Sequence, residues 1–186
     1  ELALSAAAND PAADTRLTAA VNAAGDYATA ITALAGDIQA QRAEADGEIA
    51  RQVDLVNRNL QNIEDLNAEI LRQSAQGGDT AALRDERKAM IDQISSVLTL
   101  RVVERENGQL ALYTGNGATL LDGRAAELGF TPKATITQDM TRTSGALSGL
   151  TLNGRVVTVG ESDGSGFMDG GSLGALFVQR GTTLPG

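Results

Sequence analysis

The sequence contains no cysteine, no histidine and no tryptophan. Without cysteine there is no disulfide, no thiolate nucleophile and no cysteine-type zinc site. Without histidine there is no Ser-His-Asp triad, no imidazole acid or base, and no His-ligated metal or haem. Lysine occurs only as Lys88 and Lys133. What remains for catalysis is carboxylate, tyrosine or lysine chemistry. Aromatic residues make up 3% of the chain, and proline stands only at positions 11, 132 and 185. No run approaches the ~18 apolar residues that a membrane-crossing helix needs, so no membrane insertion is expected. The opening Glu1-Leu2-Ala3 has no secretory-signal character. That start and the closing Thr183-Leu184-Pro185-Gly186 suggest a piece trimmed from a longer protein.

Basic charge is scarce too. Lys plus Arg total 15 against 24 Asp plus Glu, a formal net charge of −9 over 186 residues. Phosphate backbones are bound by clustered Lys and Arg, so no nucleic-acid partner is expected. The length allows one or two domains, with ~70% of the unfolded chain's surface buried on folding.

The composition divides near residue 100. Residues 1–100 hold five of the 21 glycines and carry 16 acids and 8 bases; residues 101–186 hold sixteen glycines, 8 acids and 7 bases. The first half therefore suits long helix, and the second suits strands and turns. Asp10 can cap a helix opened by Pro11. Leu17, Val21, Ala24, Ala28, Ile31, Ala35 and Ile38 then step by four and three. The stripe resumes with Ile49, Val53, Val56, Leu60, Ile63, Leu66 and Ile70. This spacing belongs to one face of a helix that packs lengthwise on partners. Between the two runs the seam is weak, and Arg42 sits on it. Gly25, Gly36 and Gly47 recur every eleven residues; they permit close helix approach, mark breaks, or reflect only an Ala/Gly-rich chain. One helix is expected from about Pro11 to about Ser74, possible bending at Gly47 included. Sixty residues at ~1.5 Å each give ~90 Å, which suits a rod.

Gln76-Gly77-Gly78 ends this helix, and Asp79 or Thr80 caps the next. Leu83, Arg87, Met90, Ile91, Ile94 and Leu98 form its buried stripe, and the short turn folds it back antiparallel on the first. A helix pair leaves part of both stripes bare, so cover is expected from terminal segments of a longer parent or from neighbouring subunits. After Leu100 the period becomes two. Strands are expected at 101–105, 109–114, 119–121, 128–131, 134–137, 150–152 and 155–159, with Asn107-Gly108 and Asn153-Gly154 as hairpin turns. Gly170-Gly171-Ser172 leads into a short helix carrying Leu173, Leu176, Phe177 and Arg180, with Ser172 as its cap.

The fold class expected is α+β: a long antiparallel helical rod with a small antiparallel β domain inserted before a short return helix. The domains are residues 1–100 (rod), 101–169 (mainly β, its first hairpin a candidate to pack on the rod) and 170–186 (return segment). Motifs with chemistry are weak. Gly115-x-Gly117 lacks the third glycine and the lysine of a phosphate loop. Asp163-Gly-Ser-Gly-Phe-Met-Asp169 lacks the ligand spacing of a calcium loop. Glu64, Asp65 and Glu69 read as a solvated helix face, and Arg84, Asp85, Glu86, Arg87 and Lys88 as surface or intersubunit salt links.

Taken in order, these blocks resemble the flagellar hook-associated protein 1 family, the first junction protein between hook and filament. Leu4 and Asn9-Asp10-Pro11 look like the family's helix start. Ile49, Val53, Val56-Asn57, Ile63, Leu66-Asn67 and Ile70 look like its long helix, and Leu83, Asp85, Arg87, Ile91-Asp92 and Ile94-Ser95 like the next. Val102-Val103, Gly108, Tyr113-Thr114-Gly115, Gly117 and Leu120 look like its strand pair. The most specific block is Gly170-Gly171-Ser172-Leu173-Gly174-Ala175-Leu176, then Arg180 and Leu184-Pro185. Phe177-Val178-Gln179 departs from the acidic and aromatic residues often found there, and the family's terminal polymerisation segments are missing.

The resemblance implies a structural axial protein rather than an enzyme, without cofactor, metal or catalytic residues. It implies export by the flagellar type III apparatus to an extracellular site, the bacterial flagellum. Its implied partners are copies of itself in a ring at the hook tip, the hook protein, the second junction protein, and an export chaperone for the full-length chain. Exposed charged positions off the stripe, Arg51, Arg58, Arg72, Arg84 and Glu86, are the candidate subunit contacts. The piece itself is expected to be a monomer. Two other readings remain: another axial protein, such as the second junction protein or a flagellin, and a glycan-acting module on a rod. The last would need two acids ~5–10 Å apart in a cleft; the candidates are Glu104, Glu106, Asp122, Glu127, Asp139, Glu161, Asp163 and Asp169.

Overall fold

A computed structural model describes residues 11–142, 144–157 and 170–181. The chain divides into two units, residues 1–40 and 41–186. Helix α1 runs Pro11–Ala75, 65 residues. Pro11 stands at its first position, where a missing N–H costs nothing. A Cβ on Gly25 or Gly36 would meet nothing within 4 Å, and one on Gly47 only the tip of Arg51. These glycines neither break the helix nor admit a close neighbour among the described residues.

In the first unit, residues 14–34 of α1 are exposed on every side. Leu17, Val21, Tyr27, Ile31 and Leu34 are each more than half exposed. Thr29 and Thr32 donate their hydroxyls to the carbonyls of Gly25 and Ala28, four residues back at 3.0 and 2.8 Å.

The second unit holds the core. On α1, Ala45, Ile49, Val53, Val56, Leu60, Ile63 and Ile70 are buried. Between Ile63 and Ile70 the buried position is Asn67, not Leu66, which is only half-buried. Steps of four and three therefore continue through a polar side chain. Gly77, at φ +74°, ends α1, and the Gly78 N–H returns to the Gln73 carbonyl at 2.8 Å. Helix α2 is Ala81–Val97. Asp79 Oδ1 accepts the Ala81 N–H at 2.9 Å, whereas Thr80 makes no side-chain cap. Asn59 meets Gln93, and Asn67 meets Arg87, so the two helices run antiparallel. The inner face of α2 is Arg87, Ile91, Ile94 and Val97.

The β region forms two sheets rather than one. Strands β1 (Leu100–Glu104), β2 (Leu110–Thr114), β3 (Thr119–Asp122) and β4 (Arg124–Ala125) make an antiparallel sheet in chain order. Strands β5 (Leu128–Gly129), β6 (Leu150–Leu152) and β7 (Arg155–Val157) make the second. Asn107-Gly108 is not a two-residue hairpin turn. Glu104 pairs with Leu110, and Glu106–Gly108 forms one 3-10 turn between them. The turn is drawn onto the helices: Arg87 Nη1 donates to the Gly108 carbonyl at 2.8 Å. Asn153 and Gly154 do form the expected turn, both at positive φ (50° and 78°) between β6 and β7. Residues 134–137 are irregular rather than a strand, and the Thr137 carbonyl accepts from Arg42 and from the Met140 N–H instead of a ladder partner. Strand β4, two residues long, has no period by which the sequence could announce it. The expected β7 positions 158–159 lie outside the described residues.

Helix α3, Gly171–Gly181, returns to the helical layer. Gly171 has φ +73°, and a Cβ there would overlap the Val97 carbonyl. Leu173 and Phe177 enter the common core with Ile49–Ile63 of α1, Ile91–Leu98, Leu112, Leu120, Leu121, Leu128 and Leu150. Fold class is thus α+β, a long antiparallel helical layer carrying two small sheets and a short return helix.

Candidate functional site

Buried and half-buried polar side chains hold one element to another. Asn57 pairs with a strand as a peptide group would: its Nδ2 donates to the Leu128 carbonyl at 2.8 Å and its Oδ1 accepts the Leu128 N–H at 2.9 Å. Asn67 does the same to Leu110, at 2.9 and 3.2 Å. Two asparagines on α1 thus clamp one strand from each sheet. Arg87 donates to Asn67 Oδ1 at 2.7 Å as well as to Gly108. Burial pushes its guanidinium below the ordinary arginine value, with Arg84 adding to this and Glu104 opposing it. Glu64 Oε2 accepts the Ala125 N–H at 2.8 Å.

A second polar node surrounds Asp46. Arg180 Nε lies 2.7 Å from Asp46 Oδ1, and both side chains are essentially without solvent exposure. The other oxygen, Oδ2, accepts the Lys133 N–H. Arg180 Nη2 donates to the Ser148 carbonyl at 2.7 Å, and its guanidinium lies over Phe130 and Phe177, 5.1 and 5.5 Å from the ring centroids. Arg42 Nε donates to the Arg180 carbonyl at 2.8 Å, and its two terminal nitrogens donate to the carbonyls of Thr137 and Met140. Burial lowers the Arg180 value; Asp46 opposes this, and Arg142 and Arg42 add to it.

The groove between α1 and the first sheet is lined by Glu64, Asp65, Glu106, Asp122 and Arg105. Asp122 is tied on its surface: Tyr113 Oη donates to Oδ2 at 2.8 Å and Arg105 Nη2 at 2.7 Å, and these bonds hold its carboxyl below the usual range. A general acid needs the opposite shift. Glu161, Asp163 and Asp169 lie outside the described residues. No group of three or more metal-binding side chains occurs among the described residues. Among the described residues no helix is long and apolar enough to cross a membrane.

The charged contact candidates separate. Arg51, Arg58 and Arg72 are seven and fourteen residues apart, so they fall on one line of α1, away from its buried stripe. Arg51 pairs with Glu48 and Arg72 with Glu69 on the same helix. Glu48 sits below its ordinary value, chiefly through the Arg51 hydrogen bond. Arg84 and Glu86, two apart, face different sides of α2; Arg84 Nε donates to Thr80 Oγ1 at 3.1 Å. The five are exposed but form no single cluster. Sequence reasoning gave Asn57, Asn67 and Arg180 only as positions of resemblance, with Arg180 on a buried stripe, and passed over Asp46 as a working group. Asn67 shows one further signal, a polar residue where the seam calls for an apolar one, as is visible for Arg42.

These features define a packing module of helices whose polar groups hold strands in place; on α1, Leu17, Val21, Ile31 and Leu34 are left bare among the described residues. The chain matches the flagellar hook-associated protein FlgK helical domain over residues 2–186 and belongs to that family. It is a structural, hook-associated axial protein of the bacterial flagellum. A comparison with curated protein sequences gave no match.

Proposed function

We propose that the chain joins hook to filament by subunit packing in a ring at the hook tip. The observation that carries this reading is the family match over residues 2–186, joined to an apolar helix face that nothing in the described residues covers. Burying a side chain of the size of Leu17, Val21 or Ile31 contributes roughly 1.5–3 kcal/mol, so the bare stripe is a strong demand for a helical partner. Partners on this reading are copies of the chain, the hook protein and the second junction protein, with an export chaperone before assembly. Export through the flagellar type III apparatus to the cell exterior accords with a chain free of disulfides. Residues 1–100 serve as the packing rod, residues 101–169 as a β domain, and 170–186 as the return to the rod. Arg51, Arg58, Arg72, Arg84 and Glu86 contact neighbours through their exposed charges. No catalytic step is assigned.

Deleting the encoding gene in the source cell tests this. Electron microscopy of the hooks, with an immunoblot of the medium for filament protein, is expected to show bare hooks and shed filament protein. Normal filaments on normal hooks would overturn the junction role.

A further inference from the structure

Between β5 and β6 the chain makes an irregular strap, Thr131–Arg142 and Ser144–Gly149, with no strand or helix in it. Its ends meet, as Ser148 Oγ donates to the Thr131 carbonyl. Inside it, Met140 N–H returns to Thr137, Gly145 N–H to Arg142 and Leu147 N–H to Thr141. Only Ile136 and Leu147 of the strap are buried apolar residues, and neither belongs to the core shared by α1, α2, α3 and the sheets. The strap is therefore a closed loop with its own small contact set, in the manner of an Ω-loop.

What ties it down is charge. Arg42 takes the carbonyls of Thr137 and Met140, Arg180 takes Ser148, and Asp46 takes the Lys133 amide. Four backbone groups of an irregular segment thus end on three buried side chains from α1 and α3. Arg180 is paired with Asp46, and Arg42 holds the Arg180 carbonyl, so the three side chains form one linked chain of contacts. Removing one partner of a buried ion pair leaves the other charge uncompensated, which is far costlier than losing a surface pair.

We propose that Arg42, Asp46 and Arg180 form a latch that fastens this strap, and that the strap opens as a unit while α1, α2 and the first sheet stay folded. Such a device gives the subunit one face that can be reshaped without loss of its helical frame. Local openings of this kind are expected where a segment has few apolar contacts of its own and no ladder hydrogen bonds.

Hydrogen exchange read by mass spectrometry tests this on the whole chain. In Arg42→Gln, amides of the strap are expected to exchange at least about a hundredfold faster, since a lost buried partner shifts the opening equilibrium by two or more decades. Amides of residues 53–63, 91–97 and 110–121 lose part of their protection too, through the lower global stability, but are expected to stay far slower than those of the strap. Strap and core exchanging at one common rate through a single shared opening, or an unchanged strap, would overturn the proposal. Arg87→Gln is the control for a general effect of removing a buried arginine: it should loosen the turn at Gly108 and leave the strap protected. If Arg42→Gln fails to fold, wild-type exchange in low urea decides. Strap amides should open with a smaller denaturant dependence than core amides, because less surface is exposed; a shared, global dependence would overturn the latch.

Discussion

Asp46 is the residue on which most depends. It is buried against Arg180 and receives the Lys133 amide, so Asp46→Asn takes the paired charge from the buried Arg180 guanidinium. Breaking a buried pair on one side costs about 3–5 kcal/mol. Urea unfolding of that variant should show a loss of this size, while removing the exposed Lys88–Asp92 pair by Lys88→Ala should leave the midpoint almost unchanged. Gly171 and Gly77 offer a second contrast. Both have positive φ, near 73°, but only Gly171 faces backbone where a Cβ would go. Gly77→Ala should cost roughly 1–2 kcal/mol, the price of a left-handed L-residue. Gly171→Ala should cost clearly more, because the Val97 carbonyl cannot yield without moving the end of α2. Equal losses in thermal unfolding would contradict the contact. Tyr113 supplies a pH test. Its hydrogen bond to Asp122 raises the phenol above the ordinary tyrosine value, burial adds to this, and the Arg105 charge works against it. A raised value means stabilisation that is complete below the ordinary tyrosine pKa and lost as pH rises through the raised one. Ultraviolet titration in a Tyr27→Phe background should place Tyr113 above the free phenol, and Asp122→Asn should bring it down.

At the scale of elements, α1 has two regimes. Residues 14–34 are exposed all round, whereas from Ala45 to Ile70 one face is fully buried. Isolated helix is marginal in water, because propagation barely outweighs nucleation without packing. Amides of residues 17–34 should therefore exchange orders of magnitude faster than those of residues 53–63; equal protection would mean that the exposed face is already covered in solution. The helices were legible in the sequence because their period repeats over many turns: Pro11, the 4-3 spacing and Gly77-Gly78 set the bounds of α1 almost to the residue. Asn153-Gly154 was legible as a turn because only left-handed backbone closes that hairpin. The two-sheet split was not legible. It arises from strands of two and three residues, and from arginines that capture the Gly108 and Thr137 carbonyls across 21 and 95 residues of sequence. Local pattern carries no record of such distant partners. The asparagine clamps were hidden for the same reason: Asn57 and Asn67 look like surface residues until a strand is laid against them.

For the whole molecule, composition and role agree. A chain with no cysteine or histidine and a net charge of −9 has little equipment for common catalysis and much for packing. Membership in the FlgK helical-domain family gives that packing a setting, the hook-associated part of the flagellum. On the proposed reading the protein works there through its surfaces, and above all through the bare α1 stripe. The most direct measurement restores a gene-deleted cell with the protein carrying Val21→Lys and Ile31→Lys, then images the hooks and blots for the protein in the medium. These positions are solvent-exposed in the chain, so the change should cost its own stability within about 0.5 kcal/mol. The account predicts protein that is made and released but hooks that stay bare. Normal filaments built with the charged stripe would contradict it.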